Sequence, residues 1–181
     1  MATTTLLTVK DLENMPELEE GRYELSRGVL IDLEEEGELK RKAIHELVKA
    51  TVNGICTAYC AGKPFVVFPE SDIVLDEDTY RRPDVAIFAK ADIARLNSEY
   101  LTVVPLIAIE VISPSERASY TSGKVADYFR AGVKEVWQFY PIDSEIVVRT
   151  PEKVRIVTMD QVLETPLLPG FSHAASEFFA R

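Results

Sequence analysis

The sequence predicts one domain of the α/β class, of mixed α+β character, in which a mixed β-sheet is flanked by helices. Its 181 residues, 46% of them hydrophobic, are enough to fill one core. Two helical patterns are separated by several strand-like segments. The segment PLIAIEVIS is apolar almost throughout, which is typical of a central strand buried on both faces. Residues 1–181 are therefore expected to form a single domain, with a helix and hairpin at about residues 8–34 as an extension of its core.

The N-terminal extension begins with a helix signal. Thr8 and Asp11 have the spacing of a capping box, which predicts a short helix ending near Pro16. The segment RYELSRGVLIDLE then predicts two strands that turn at Ser26, Arg27 and Gly28.

The longest predicted helix follows. From Leu39 to Tyr59, apolar residues recur at spacings of three and four, and Gly62 and Pro64 end the pattern. The later elements, in order, are a strand at PFVVF with a continuation at SDIVL, a strand at PDVAIF, a short helix at about 91–96, the strand PLIAIEVIS, a helix from about Ser122 to Ala131 capped by Gly132, a hairpin of VKEVWQFY and EIVVRT, a strand at VRIVTM and a closing helix at SHAASEFFA.

The composition also bears on location. The N-terminus lacks the basic start and long apolar core of a signal peptide, and no segment approaches the roughly 18 apolar residues of a membrane span. We expect a cytoplasmic protein with no membrane partner.

Cys56 and Cys60 lie four apart in the long predicted helix, which favours buried free thiols over a disulfide or a zinc site.

The net charge of −10 argues at first against a nucleic-acid partner, because lysine and arginine drive phosphate binding. The acidity is concentrated, however, in residues 1–38, where eleven acidic residues outnumber three basic ones. Residues 39–181 carry 19 acidic and 17 basic residues, so this part of the chain is nearly neutral. A DNA partner is therefore compatible with the charge.

Two carboxylates stand where strands are predicted. Asp84 opens the strand of RRPDVAIF, and Glu110 lies within PLIAIEVIS, on the same face as Ala108. Neighbouring strands would bring the two acids together, and a shared divalent cation with oxygen ligands, Mg²⁺ or Mn²⁺, would relieve their repulsion. Alternatively, Asp84 caps a turn and pairs with Arg81 or Arg82, while Glu110 pairs with a core lysine.

Lys124 is the candidate cation of this site. It falls in the first turn of the helix predicted to begin near Ser122, just after the Glu110 strand. A lysine there does not suit the helix dipole, which favours anions at its N-terminus. The alternative is an exposed lysine that pairs with Asp127.

The sequence lacks the motifs of two other kinds of site, a phosphate-binding loop and a serine hydrolase. SYTSGKV has Ala118 where a phosphate-binding loop needs its first glycine and Val125 where it needs serine or threonine. No G-x-S-x-G elbow is present, and the only histidines are His45 and His173. We interpret His45 as an ordinary helix residue.

Four segments, RYELSRG, RRPDVAIF, LIAIEVISPS and GKVADYFRAGVKEVWQFYP, resemble in order and spacing the Uma-two family of putative restriction endonucleases, a branch of the PD-(D/E)XK nuclease superfamily. The resemblance covers roughly residues 7 to 172 and implies a restriction-endonuclease-like core. It also implies a Mg²⁺-dependent or Mn²⁺-dependent DNA endonuclease that hydrolyses phosphodiester bonds.

The resemblance assigns roles to the acids. Asp84 and Glu110 take the places of the superfamily's catalytic acids, and with the carbonyl of Val111 they would hold the metal. The usual lysine two positions after the acid is here Ile112, so its role passes to Lys124 in the next helix. Three further residues are candidate additional members of the site: Glu24, Glu70 and Tyr128. The alternative is that each glutamate is a surface residue and that Tyr128 serves packing.

The implied substrate is DNA. Four arginines are candidates for phosphate contacts: Arg81, Arg82, Arg117 and Arg130. The resemblance also favours a homodimer, in which two sites address both strands. The alternative function is a catalytically inactive nuclease fold that serves as a DNA-binding or protein-binding module; the acidic composition and the isoleucine at position 112 favour it.

Overall fold

The computed structural model describes residues 6–15, 23–32, 43–94, 101–113 and 116–179. The helices are α1 (Val9–Glu13), α2 (Ala43–Cys60), α3 (Lys90–Ile93), α4 (Ala118–Ala131) and α5 (Ala175–Phe178). The strands are β1 (Tyr23–Ser26), β2 (Val29–Asp32), β3 (Phe65–Pro69), β4 (Ile73–Asp76), β5 (Thr79–Arg81), β6 (Val85–Ala89), β7 (Ile107–Val111), β8 (Glu135–Tyr140), β9 (Glu145–Arg149), β10 (Val154–Val157), β11 (Val162–Glu164) and β12 (Ser172–Ala174).

The strands form a central sheet and two smaller ones. The six-stranded sheet has the order β10-β9-β8-β7-β6-β3, and the four-stranded sheet has the order β2-β1-β5-β4. In the six-stranded sheet β7 and β8 pair in parallel and the other neighbours are antiparallel. Helix α4 is the crossover between the two parallel strands, as parallel pairing requires. The predicted mixed sheet flanked by helices is confirmed.

The central strands are buried on both faces because helices cover both. Val48 and Val52 of α2 pack with Ile109 of β7 in the larger core cluster. Ala108, the next residue along β7, belongs to a second cluster with Tyr128 of α4. Since side chains alternate across a strand, α2 and α4 lie on opposite faces of the six-stranded sheet.

Local sequence signals explain the N-terminal elements. The Thr8 hydroxyl accepts a hydrogen bond from the Asp11 N–H at 3.3 Å, and Asp11 accepts one from the Thr8 N–H at 2.8 Å, which completes the predicted capping box. The β1–β2 turn has positive φ at Arg27 (49°) and Gly28 (77°), as the tight hairpin turn requires. A Cβ on Gly28 would lie 2.8 Å from the Leu6 Cβ, so this position also needs a glycine for space.

Three details differ from the sequence prediction. SDIVL does not continue the PFVVF strand, because its β4 pairs with β5 in the four-stranded sheet. Helix α4 begins at Ala118 rather than near Ser122. Strands β5, β11 and β12 were not predicted. The predicted helix ends at Pro16 and at Leu96 lie outside the described residues.

Helix α2 carries both cysteines on its buried side. Cys56 and Cys60 are free thiols, as predicted, and burial raises the pKa of Cys56. Neither α2 nor another helix within the described ranges is both long and apolar enough to cross a bilayer.

Candidate active site

A cavity of about 200 Å³ opens where β6 begins and β7 ends, between α2 and α4. Its walls include seven residues that the sequence analysis named as candidates: Glu24, Glu70, Arg82, Asp84, Glu110, Val111 and Lys124. These residues come from different elements of the chain, so the fold brings together groups that are distant in sequence.

Asp84 lies beside Glu110 because β6 and β7 are antiparallel neighbours. Val85 pairs with Ile109, which places Asp84, one step further out, opposite Glu110. The Val111 N–H donates a hydrogen bond to Asp84 Oδ2 at 2.7 Å, which fixes the carboxylate at the end of β7. The two acids therefore share one end of the sheet.

Glu110 is a buried carboxylate with two donors from α4. Its Oε2 accepts from Lys124 Nζ at 2.7 Å, and its Oε1 accepts from the Tyr128 hydroxyl at 2.6 Å. Burial raises the pKa of Glu110 to about 8; the charge of Asp84 adds to this rise, and Lys124 opposes it. The carboxyl group therefore holds a proton more readily than an ordinary glutamate does.

Lys124 is held between two carboxylates. Its ammonium lies 2.7 Å from Glu110 and 3.6 Å from Glu24, and only 6% of the residue is exposed. Burial alone would lower the pKa of Lys124, but the charges of Glu110 and Glu24 raise it well above its ordinary value. Because α4 begins at Ala118, Lys124 lies in its second turn, so the argument from the helix dipole is wrong. The expected alternative, a pair with Asp127, does not form; Asp127 binds arginines instead.

Glu24 belongs to a buried ionic network behind the cavity. Arg81 donates to Glu24 at 2.5 Å and to Asp127 at 2.6 Å, and the Tyr120 hydroxyl donates to Glu24 at 2.7 Å. Burial alone would raise the pKa of Glu24, but Lys124 and Arg81 bring it below the ordinary value. This network joins β1 and β5 of the smaller sheet to α4.

Helix α2 supplies the opposite wall. His45 Nε2 lies 2.6 Å from the Val111 carbonyl oxygen, and since a carbonyl only accepts, Nε2 carries the hydrogen. One turn later, Lys49 Nζ lies 2.7 Å from Glu70 Oε1. Each face of the sheet therefore contributes one lysine to the cavity.

The comparisons with known proteins show the family and the fold of the chain. Residues 9–176 match the Uma2 family, whose description reads "Putative restriction endonuclease". The chain belongs to the Uma2 family. The resemblance seen in the sequence is thereby confirmed.

A solved structure has the same fold as this Uma2 chain. It is described as a "putative nuclease belonging to DUF820" from Anabaena variabilis ATCC 29413, and it superposes with a TM-score of 0.82. The match covers 96% of this chain and 98% of that one at 16% sequence identity. The search of curated proteins gave no match.

The residues of the Uma2 site suit a hard divalent cation. The described side chains contain no group of three or more His, Cys, Asp or Glu arranged to hold a metal. Mg²⁺, however, is commonly bound by one or two carboxylates, with water and substrate phosphate completing its coordination. Asp84 and Glu110 are two such carboxylates, and their mutual repulsion contributes to the raised pKa of Glu110.

The four candidate DNA-binding arginines have different surroundings. Arg81 is only 1% exposed and is bound to buried carboxylates, so its assignment as a phosphate contact is wrong. Arg82 lies in the cavity wall and pairs with Asp72. Arg117 is exposed at the N-cap of α4, and Arg130 is exposed and lies 3.5 Å from Asp78. The expected pairing of Asp84 with Arg81 or Arg82 is absent from the described contacts of these side chains.

Several cavity residues were missed by the sequence reasoning. His45 was interpreted as an ordinary helix residue, yet it contacts the end of β7; Lys49, Tyr120 and Glu116 also line the cavity. The spacing of His45 and Lys49, four apart on one helix, was the available signal, since it places both on one face. No pattern in the sequence indicates that this face turns toward Asp84.

Proposed function

We propose that this Uma2 protein is a DNA endonuclease that uses Mg²⁺ or Mn²⁺ to hydrolyse phosphodiester bonds. The family and the fold support a nuclease-like function. The observation that carries the finer proposal is the convergence of Asp84, Glu110 and Lys124 on one cavity, although they come from three separate elements. Two carboxylates suit a divalent cation, and a lysine suits the negative charge that develops during phosphodiester hydrolysis.

Asp84, Glu110 and the Val111 carbonyl would hold the metal. A divalent ion there would polarise the phosphoryl oxygen as a Lewis acid and would make a bound water more acidic. The chain's own part is to fix these oxygens: the Val111 N–H holds Asp84 at 2.7 Å, and Tyr128 holds Glu110 at 2.6 Å. Tyr128 is thus a positioning residue in this proposal.

Lys124 would orient the attacking water or stabilise the charge that develops on phosphorus oxygens. A buried ammonium is stronger in this role than an exposed one, because the surrounding dielectric is low. The charges of Glu110 at 2.7 Å and Glu24 at 3.6 Å favour the charged form of the ammonium. On the α2 side of the cavity, Glu70 accepts a hydrogen bond from Lys49 at 2.7 Å and so helps to position that lysine.

The remaining parts of the proposal concern assembly and location. The exposed Arg117 and Arg130 would contact DNA phosphates beside α4. We further propose that residues 1–181 form a single domain, that the protein acts as a homodimer on duplex DNA, and that it works in the cytoplasm.

Plasmid nicking tests the function. Wild-type protein with Mg²⁺ or Mn²⁺ should convert supercoiled plasmid to the nicked form, and EDTA should abolish this. Asp84→Asn should reduce the rate by about a hundredfold or more, while Asp160→Asn, which changes an exposed acid in the β10–β11 turn, should not. Absence of nicking by the wild type, together with metal-independent DNA binding, would instead support the binding-module function.

A further inference from the structure

We propose that Lys49 is a second phosphate-contacting cation of this site, placed to stabilise the negative charge on the leaving oxygen of the cleaved strand. The inference rests on the proposed nuclease function. It assigns a residue to the departure of the leaving oxygen, a step that Lys124 does not serve. It follows from where α2 lies, what holds Lys49 there, and the geometry of phosphoryl transfer.

Lys49 and Lys124 approach the two acids from opposite directions. Helix α4, which carries Lys124, packs on the face of β7 that includes Ala108. Helix α2, which carries Lys49, packs on the face that includes Ile109. Both lysines nonetheless line the one cavity at the end of β7. The cavity that contains the acids therefore receives one ammonium group from each face of the sheet.

Two carboxylates hold the Lys49 ammonium at the cavity but do not take all of its N–H donors. The residue is 9% exposed, and its Nζ lies 2.7 Å from Glu70 and 3.2 Å from Glu46. Burial alone would lower the pKa of Lys49, but hydrogen bonding to Glu70 and the charge of Asp84 raise it. An ammonium has three N–H donors, and within the described contacts these two carboxylates take two of them.

Backbone contacts fix the partners of Lys49. The Glu70 N–H donates to the Asp84 carbonyl at 3.0 Å, and Glu70 has a φ of 41°, in the left-handed region that residues with a side chain rarely adopt. The bond from His45 to the Val111 carbonyl ties α2 to the end of β7. Lys49 therefore keeps a fixed position relative to Asp84.

Phosphodiester hydrolysis needs a group that stabilises the leaving oxygen, and we place this oxygen on the α2 side of the cavity. In hydrolysis, the water oxygen forms a bond to phosphorus while the bond from phosphorus to the sugar oxygen breaks, roughly in line with it. The attacking water gives up one proton to solvent. The electron pair of the broken bond goes to the sugar oxygen, which then takes a proton from solvent. If Lys124 serves the water on the α4 side, the leaving oxygen departs toward α2, where Lys49 supplies the compensating charge.

A substrate with a better leaving group separates this role from a structural one. We would compare single-turnover cleavage of ordinary DNA with cleavage of the same DNA carrying sulfur in place of the leaving oxygen, because a thiolate needs little stabilisation. Lys49→Met should slow cleavage of ordinary DNA about a hundredfold but slow cleavage of the sulfur substrate only about threefold. Lys124→Met should slow both substrates by similar factors.

Two controls make the outcome decisive. Lys90→Met changes an exposed lysine at the far end of β6 and should cleave both substrates like the wild type. Lys49→Met should fold, as circular dichroism would show, because the Glu46 and Glu70 side chains are 40% and 48% exposed and can be hydrated. A second readout is DNA affinity in EDTA, measured by fluorescence anisotropy, which Lys49→Met and Lys49→Gln should both weaken.

The two proposals fail differently. If the wild type cleaves both substrates and Lys49→Met loses the same factor on each, or if DNA affinity in EDTA is unchanged, the role of Lys49 is overturned and the nuclease function stands. If the wild type cleaves neither substrate with Mg²⁺ or Mn²⁺, the proposed function is overturned, and this role with it.

Discussion

Lys124 Nζ lies 2.7 Å from Glu110 Oε2, and both residues are almost fully buried. The lysine comes from helix α4, whereas Ile112, two positions after Glu110 and just beyond the end of β7, is apolar. Together with the bond from the Tyr128 hydroxyl to Glu110, this contact links β7 to α4, and it places a positive charge beside the acids. Its removal should therefore affect stability as well as activity.

The Lys124–Glu110 pair should show strong thermodynamic coupling. Lys124→Met leaves two buried carboxylates without their shared cation, so we expect a loss of about 3 to 5 kcal/mol in the free energy of unfolding. Adding Glu110→Gln should restore about 1 to 3 kcal/mol relative to the sum of the single changes. Urea denaturation of the four proteins at pH 9, above the pKa of about 8 for Glu110, measures this cycle with the carboxylate charged. Additive losses would show that the contact contributes nothing specific.

The raised pKa of Glu110 predicts a pH-dependent stability without metal. Below pH 4.5 the carboxyl is protonated in both states, and between about 4.5 and 8 the unfolded chain releases the proton while the folded protein keeps it. The contribution of Glu110 to the free energy of unfolding should thus fall as pH rises, by at most about 1.4 kcal/mol per pH unit. The difference between wild type and Glu110→Gln, measured in EDTA, isolates this slope. A difference that does not vary with pH would contradict the assignment.

Arg81 and Arg82 should differ sharply in how much each contributes to the free energy of unfolding. Arg81 is buried between Glu24 and Asp127, so Arg81→Met should cost about 3 to 5 kcal/mol in the free energy of unfolding. Arg82 pairs with Asp72 at a site where both side chains are 24% exposed, so Arg82→Met should cost about 1 kcal/mol or less. Thermal denaturation of the two variants tests this order. Equal losses would mean that the buried network is not what stabilises this region.

The exposed Arg117 should contribute to DNA binding through charge alone. Arg117→Met is expected to weaken binding of unrelated duplexes uniformly and to reduce the slope of log affinity against log salt by about one. Anisotropy titrations in EDTA at several salt concentrations give the slope, with Lys153→Met, an exposed change at the β9–β10 turn, as the control. An unchanged slope in Arg117→Met would show that Arg117 does not contact DNA phosphates.

Much of the fold could be predicted from local patterns. The alternation in PLIAIEVIS correctly separates Ala108 from Ile109 on opposite faces, and the capping pair of Thr8 and Asp11 forms as expected. The assignment of SDIVL failed because a strand's sheet partner is chosen by tertiary contacts rather than by its own sequence. The short β5, which includes the charged Arg81, has no apolar pattern to reveal it.

The candidate site was only partly visible in the sequence. Charges placed inside apolar strands pointed to Asp84 and Glu110, because a buried carboxylate needs a partner. The burial of Arg81 could not be foreseen, since an arginine becomes buried only when distant acids such as Asp127 surround it. The wall formed by His45 and Lys49 depends on the angle at which α2 crosses the sheet, which no local pattern encodes.

Direct Mn²⁺ binding tests best whether Asp84 and Glu110 together hold a divalent cation. Titration of the DNA-free protein, followed by the electron paramagnetic resonance signal of free Mn²⁺, should show binding by the wild type and by the Asp160→Asn control. Asp84→Asn and Glu110→Gln should each weaken that binding about tenfold or more. Mn²⁺ binding of wild-type strength in both variants would contradict the account.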